Sequence, residues 1–347
     1  MWARCCFVLL GLAGAAALTS PAHAATVCKS PGAPMPEAQR KFHPGHYVSI
    51  GKGEASKGIR NVKAEGVTGV QLRYRWSDLE PDEGHYDFSR IARDLEEASR
   101  AGLQLVVMIE DKSFDYEMPT PAYLHDKHTV PTRNRGYMAL RWDPEVNDRF
   151  KQLIAALGAQ VDCDPHFEGV AFQETALSLD DAMLQQYGYT PEKYRDSLLG
   201  LLRSASKSLP SSRVFWYMNF LPKRQEYIGD IAQAIVGTGV VMGGPDVLPE
   251  NQALARRVYP FYDKFSGRLK LFGSMQHDSY REKRSSAAGS SAGGDSPYWS
   301  MDDMFTFARD RLHVDYLFWE YHIKRQPPDS RDWDDAREVI ARNPTLR

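Results

Sequence analysis

The stretch FEGVAFQETAL, residues 167–177, begins as a continuous apolar run and ends in an amide and a carboxylate, Gln173 and Glu174. A short apolar run bounded by turn signals reads as a strand buried on both faces. The segment before it, DPEVNDRFKQLIAALGAQV (143–161), opens with an Asp-Pro start signal and carries an apolar stripe at helical spacing. The segment after it, TPEKYRDSLLGLLRSASKSL (190–209), is a helix with a Thr cap and Pro at its first position. Working outward, the same rhythm continues in both directions. Strands are expected at 46–53, 66–76, 103–111, 167–172, 213–220, 239–247, 269–280 and 314–322. Helices are expected at 88–102, 143–161, 190–209, 226–237, 252–265 (interrupted at Pro260), 300–313 and 332–343. Eight apolar strands alternating with amphipathic helices predict the α/β class and a closed (β/α)8 TIM barrel. In that fold Glu174 stands at the C-terminal end of the fourth strand, on the rim where barrel loops carry chemistry.

The chain has 347 residues and a formal net charge of −2, which gives no electrostatic case for nucleic acid or an anionic membrane. Its first residues, MWARCCFVLLGLAGAAALTSPAHA, join one early Arg to an apolar run from about Cys6 to Leu18 and an Ala22-His23-Ala24 site. That is the layout of a secretory signal, too short to span a bilayer comfortably. Residues 1–24 are therefore expected to be a signal peptide cleaved after Ala24, 25–45 an N-terminal tail, and 46–347 a single barrel domain. The expected destination is the periplasm or the exterior of a bacterium, with no membrane partner after cleavage. Cleavage leaves two cysteines, Cys28 and Cys163, and an oxidising compartment predicts that they form one disulfide.

The other strand ends are unusually polar. Arg73 and Arg75 close the second strand, Glu110 and Asp111 the third, Asn219 the fifth and Asp246 the sixth; Gln276, His277 and Asp278 close the seventh, Glu320 and His322 the eighth. Acids, amides and aromatics on one rim suit glycoside hydrolysis, in which one carboxylic acid protonates the leaving oxygen and an opposing carboxylate attacks or activates water. Two long connections, 112–141 and the Ser/Gly-rich 281–300, fall on the same face. With Tyr116, Tyr123, Tyr137 and Tyr298 they would wall an extended cleft suited to a polymer.

The run VQLRYRWSDLEPDEGHYDFSRIARDLEEASRAGLQLVVMI (70–109) resembles the region from the second to the third strand of clan A glycoside hydrolases, such as the family 42 β-galactosidases and cellulase-like barrels. FKQLIAALGAQVDCDPHFEGVAFQET (150–175) is similar to the segment in which those enzymes present an Asn-Glu pair. The resemblance implies that Glu174 is the general acid and that Gln173, standing where Asn is usual, binds a sugar hydroxyl. LFWEYH resembles a strand-eight segment whose Trp floors the central subsite, which implies Trp319 as a sugar platform. The chain departs from the pattern at the seventh strand. The nucleophilic Glu expected there is missing, and Ser274 or Gln276 occupies its place. Asp278 or Glu320 is then the expected partner of Glu174.

The expectation is an exported enzyme cleaving an oligo- or polysaccharide, with Glu174, Asp278 and Glu320 as catalytic candidates and Arg75, Gln173, Asn219, Gln276 and Trp319 lining the subsite. Water and two carboxylates suffice for the chemistry, so no cofactor is expected. The Glu110-Asp111 pair lacks further ligands at metal spacing, and no metal is expected either. A monomer is the default assembly. The rivals are a barrel that binds carbohydrate without cutting it, for which the missing strand-seven Glu speaks, and a polysaccharide lyase, in which Arg73 or Arg75 would face a substrate carboxylate.

Overall fold

The computed structural model describes residues 35–51, 55–62, 66–285, 296–321 and 323–347. The expected signal peptide, Cys28, the Ser/Gly-rich 286–295 and His322 lie outside these residues.

In chain order the elements are β1 (Gly45–Ile50), α1 (Ala55–Val62), β2 (Val67–Arg75), α2 (Trp76–Leu79), α3 (Ser89–Ala101), β3 (Gln104–Glu110), α4 (His125–His128), β4 (Thr129–Pro131), β5 (Tyr137–Ala139), α5 (Pro144–Val161), β6 (Phe167–Phe172), α6 (Asp181–Gln186), α7 (Pro191–Ser208), β7 (Arg213–Tyr217), α8 (Tyr227–Ala234), β8 (Val240–Gly244), α9 (Gln252–Arg257), α10 (Tyr259–Phe265), β9 (Lys270–Met275), α11 (Met301–Thr306), β10 (Tyr316–Glu320) and α12 (Trp333–Arg342). Eight of these strands pair in parallel and close in the order β1-β10-β9-β8-β7-β6-β3-β2. The expected (β/α)8 barrel is present, with each of the eight expected strands in its place. The antiparallel β4–β5 hairpin lies inside the 112–141 connection; it and the one- or two-turn helices are too short for periodicity to reveal. Pro260 sits in the first turn of α10, where its missing N–H is harmless, so the expected interruption becomes a boundary between two helices.

Alternation along the strands builds two apolar layers. Tyr47, Val106, Met108, Ala171, Phe215, Tyr217, Val241, Phe272, Tyr316 and Phe318 fill the barrel interior as one cluster. The alternate residues, among them Val107, Phe172, Trp216 and Trp319, pack outward in the layer shared with the helices. A bulge at the start of β6, where Phe167 pairs with Leu105 but Gly169 with Val106, re-sets the phase and brings the Glu168 side chain to the barrel floor. There Tyr316 Oη donates to Glu168 Oε1 at 2.6 Å, and the His43 ring lies 2.6 Å from Oε2. The segment before β1 seals that floor: Arg40 donates to the Leu209 and Ser212 carbonyls, and Arg213 to the Lys41 carbonyl. The bottom of the barrel is thus closed, and the polar strand ends open only at the other face.

Candidate active site at the barrel mouth

β6 ends at Phe172, and the next two residues turn into the mouth. Gln173 and Glu174 both line a cleft of about 650 Å³, together with Arg73, Met108, Lys112, Phe114, Tyr217, Pro245, Asp246 and Gln276. A second cleft of about 720 Å³ adjoins it, lined by Ser49, Gly51, Glu110, Ser113, Asp115 and Glu320 and sharing Arg73, Lys112 and Phe114 with the first. The two form one groove across the rim, with those three side chains as the divide.

Each oxygen of Glu174 is held separately. Lys112 Nζ donates to Oε1 at 2.9 Å, and Asn219 Nδ2 donates to Oε2 at 2.7 Å. The Lys112 side chain is fully buried, and its ammonium also reaches the Ala176 carbonyl at 2.9 Å. Burial lowers the Lys112 pKa, while the Glu174 carboxylate opposes that fall. The position of Lys112 depends on the hairpin behind it. Ser113 N donates to the Tyr137 carbonyl, Ala139 N donates to the Asp111 carbonyl, and a Cβ on Gly136 would stand 1.9 Å from the Ser113 carbonyl oxygen. Only glycine permits that approach.

A second ion pair backs the first. Arg141 grips Asp111 with two bonds, Nε to Oδ2 at 2.6 Å and Nη2 to Oδ1 at 2.5 Å, and its Nη1 donates to the Glu174 carbonyl. This buried fork fixes the turn that carries Glu174. Asp111 is thereby engaged in holding the backbone and does not face the groove. Gln173 is spent in the same way on one side: its Oε1 accepts from the Asp111 and Lys112 amides at 3.0 and 2.7 Å.

The remaining residues singled out in the sequence are dispersed. Asn219 is buried and bridges two acids, since the nitrogen that contacts Glu174 also lies 3.4 Å from Asp246 Oδ2. Gln276 lines the Glu174 cleft. Arg75 turns to the rim and pairs with Glu117, outside the residues that line either cleft. Glu320 faces the adjoining cleft and accepts from His277 N at 2.7 Å, separated from Glu174 by Arg73 and Lys112. Asp278 is 78% exposed next to His277 and does not line the Glu174 cleft. Trp319 requires a correction. It is fully buried, with Nε1 donating to His46 Nδ1 at 3.0 Å, and its ring is packed between barrel and helices. Because Phe318 and Glu320 point inward on β10, the residue between them must point outward. Of the tyrosines expected along the cleft, Tyr116 is 75% exposed, whereas Tyr298 is buried.

Three groups of the groove were missed. Lys112 belongs to it by alternation, two positions beyond Glu110. Phe114, 55% exposed beside the Lys112 ammonium, presents the aromatic face that Trp319 lacks. Asp246 stood among the polar strand ends but was not singled out, and it shares the cleft with Glu174. Among the described residues no cluster of His, Cys, Asp or Glu fit to hold a metal is present, and no helix is long and apolar enough to cross a membrane.

No protein family and no curated protein sequence matches the chain. Solved structures do. The catalytic domain of β-amylase from Paenibacillus polymyxa superposes with a TM-score of 0.53 at 11% identity, covering 87% of this chain and 99% of that one. GH5_18 from Streptomyces cattleya, in complex with GlcNAc, gives a TM-score of 0.57 at 13% identity over 87% of this chain and 79% of its own. An endo-β-1,4-glucanase from Xanthomonas axonopodis pv. citri gives 0.52 at 11% identity, covering 86% and 100%. The likeness is one of fold. It places this chain on the barrel architecture that those carbohydrate-active proteins use, and residue roles must come from the groove itself.

Proposed function

We propose that this chain is an exported glycosidase acting on an oligo- or polysaccharide, with Glu174 as one of its two working carboxylates. The observation that carries this reading is Glu174 itself. It is a carboxylate on the C-terminal rim of a (β/α)8 barrel, in an open groove, with each oxygen held by a different side chain. Held in that way, the group is pre-oriented toward whatever enters the cleft, as acid–base or nucleophilic chemistry requires. The shape of the rim supports a sugar chain as the occupant, since two adjoining clefts divided by Phe114 would accept neighbouring units. The fold neighbours support the same substrate class: one is a β-amylase, and another holds GlcNAc. The buried Lys112 ammonium donates to Glu174, which suits that residue to act as the carboxylate and not as the acid expected from the resemblance. The secretory leader expected at residues 1–24 supports export. Cys163 is disulfide-bonded, in keeping with an oxidising compartment, although the expected partner Cys28 lies outside the described residues.

The binding-only reading keeps one specific support, namely that Gln276 lines the cleft from the strand where a Glu was expected. A lyase would need a cation free to meet a uronate; Arg75 is engaged with Glu117, and Arg73, which lines both clefts, lies 3.8 Å from Glu110. The deciding experiment is reducing-sugar release from a panel of bacterial and plant polysaccharides by wild type and Glu174→Gln. Release that disappears in the variant supports the glycosidase. Absence of release together with sugar binding that the variant retains would replace it with the binding protein. An unsaturated product absorbing in the ultraviolet would replace it with the lyase.

A further inference from the structure

The seventh barrel strand, β9, brings Gln276 to the cleft, so the second carboxylate has to come from elsewhere. The strand beside it, β8, ends in Gly243-Gly244, and the chain then turns through Pro245 to Asp246, both of which line the Glu174 cleft. Asn219 Nδ2 lies 2.7 Å from Glu174 Oε2 and 3.4 Å from Asp246 Oδ2. Two oxygens at those distances from one amide nitrogen are at most about 6 Å apart. We propose that Asp246 is the second carboxylic group of the site, bearing the proton while Glu174 acts as the anion opposite it.

This inference rests on the glycosidase reading and moves the missing partner one strand along, from β9 to β8. Other groups around Asp246 agree with the assignment. Glu174 on one side and Asp278 beyond β9 are both acids, and Tyr259 Oη approaches the Asp246 main-chain carbonyl at 3.4 Å. The two cations of the groove are engaged with other acids: Lys112 pairs with Glu174, and Arg73 lies 3.8 Å from Glu110. Among the described residues Asp246 makes no ion pair. Burial, reinforced by Glu174 and Asp278, pushes it up to about 7, against the opposing pull of the Asn219 hydrogen bond. Two adjacent carboxyl groups with such different surroundings divide into a proton donor and an anion.

The separation also selects a mechanism, because carboxyl groups about 5–5.5 Å apart suit retention and roughly 6.5–9.5 Å suits inversion. Glu174 forms a bond to the anomeric carbon as the bond from that carbon to the glycosidic oxygen breaks. The electron pair leaves with that oxygen, which takes the Asp246 proton and departs as an alcohol. A water then gives one proton to Asp246 and its oxygen to the anomeric carbon, and the bond to Glu174 breaks. One water is consumed, both side chains return to their starting forms, and the anomeric configuration is retained.

Two measurements test the proposal. The first needs no substrate: infrared absorption of protonated carboxyl groups is followed from pH 5 to 9 in wild type, Asp246→Asn and Glu174→Gln. The expected result is a carboxyl band that titrates near neutrality in wild type, is missing in Asp246→Asn, and titrates at lower pH in Glu174→Gln because a neighbouring negative charge is gone. Identical titrations in wild type and Asp246→Asn would overturn the assignment. The second compares 4-nitrophenyl with 2,4-dinitrophenyl glycosides across common sugars. Loss of a general acid should lower kcat/KM by about 10²-fold or more on the poorer leaving group and spare the activated one, whereas Glu174→Gln loses both. Asp246→Asn within about threefold of wild type on every cleaved substrate would refute the role of Asp246 and leave the glycosidase standing. If wild type cleaves no glycoside at all, the glycosidase reading fails, and the infrared titration alone decides where the proton resides.

Discussion

Replacing Asp246 by Asn should change the stability of the protein in a way that depends on pH, with a sign opposite to that of removing an acid held in an ion pair. In the folded chain burial and the Glu174 and Asp278 charges raise Asp246 from its ordinary value of 3.8 to about 7. Between those two pH values the folded state keeps a proton that the unfolded chain has released. Folding is therefore favoured by this group below about pH 4, and that contribution is lost as pH rises through about 7. At about 1.4 kcal/mol per pH unit, wild type should lose roughly 2–3 kcal/mol between pH 5 and pH 8.5 through this one group. Asn cannot titrate, so Asp246→Asn escapes that loss. The assay is urea unfolding of both proteins at the two pH values, taking the difference between proteins at each pH so that the titrating groups not coupled to Asp246 cancel. The variant should gain about 2–3 kcal/mol relative to wild type on going from pH 5 to pH 8.5. A difference between the two proteins that stays constant across that range, within about 0.5 kcal/mol, would show that Asp246 titrates as an ordinary surface acid and would refute the reasoning.

Two further substitutions separate the groove from its support. Phe114→Ala should leave urea stability nearly unchanged and raise KM for an oligosaccharide, whereas Trp319→Phe should leave KM unchanged and lower stability by about 2 kcal/mol, through lost packing and the orphaned His46 nitrogen. Equal KM in wild type and Phe114→Ala would remove Phe114 from the groove. Arg141→Lys keeps the charge but cannot span both Asp111 oxygens and still reach the Glu174 carbonyl, so it should lower stability by about 2 kcal/mol and reduce kcat together. Full activity in that variant would show that the Asp111–Arg141 fork does not position Glu174.

The eight-strand rhythm was legible because each strand of a parallel barrel is buried on both faces and reads as an apolar run, and the helices between them carry their caps and stripes in order. The placement of Glu174 at the mouth followed from the same rhythm, since a carboxylate directly after a buried strand has few other places to go. The neighbours of Trp319 in sequence suggest a sugar platform, but its parity on the strand decides otherwise: with Glu320 turned inward, a two-residue period sends Trp319 outward. Lys112 and Arg141 could not be read in this way. Their roles depend on a hairpin and a long connection folding back onto β3 and β6, which brings charges 62 and 33 residues apart in the chain into contact with Glu174.

The sequence by itself determined the barrel, its order and the rim on which chemistry must occur, because hydrophobic periodicity is a local property that each strand and helix carries alone. Only the tertiary structure decided which rim groups meet. Asp246 becomes a partner of Glu174 because closure of the barrel sets the ends of β6, β7 and β8 side by side, with Asn219 between the two acids. Burial there, next to another negative charge, changes what a carboxyl group does, and neither burial nor proximity is written in the order of residues along the chain.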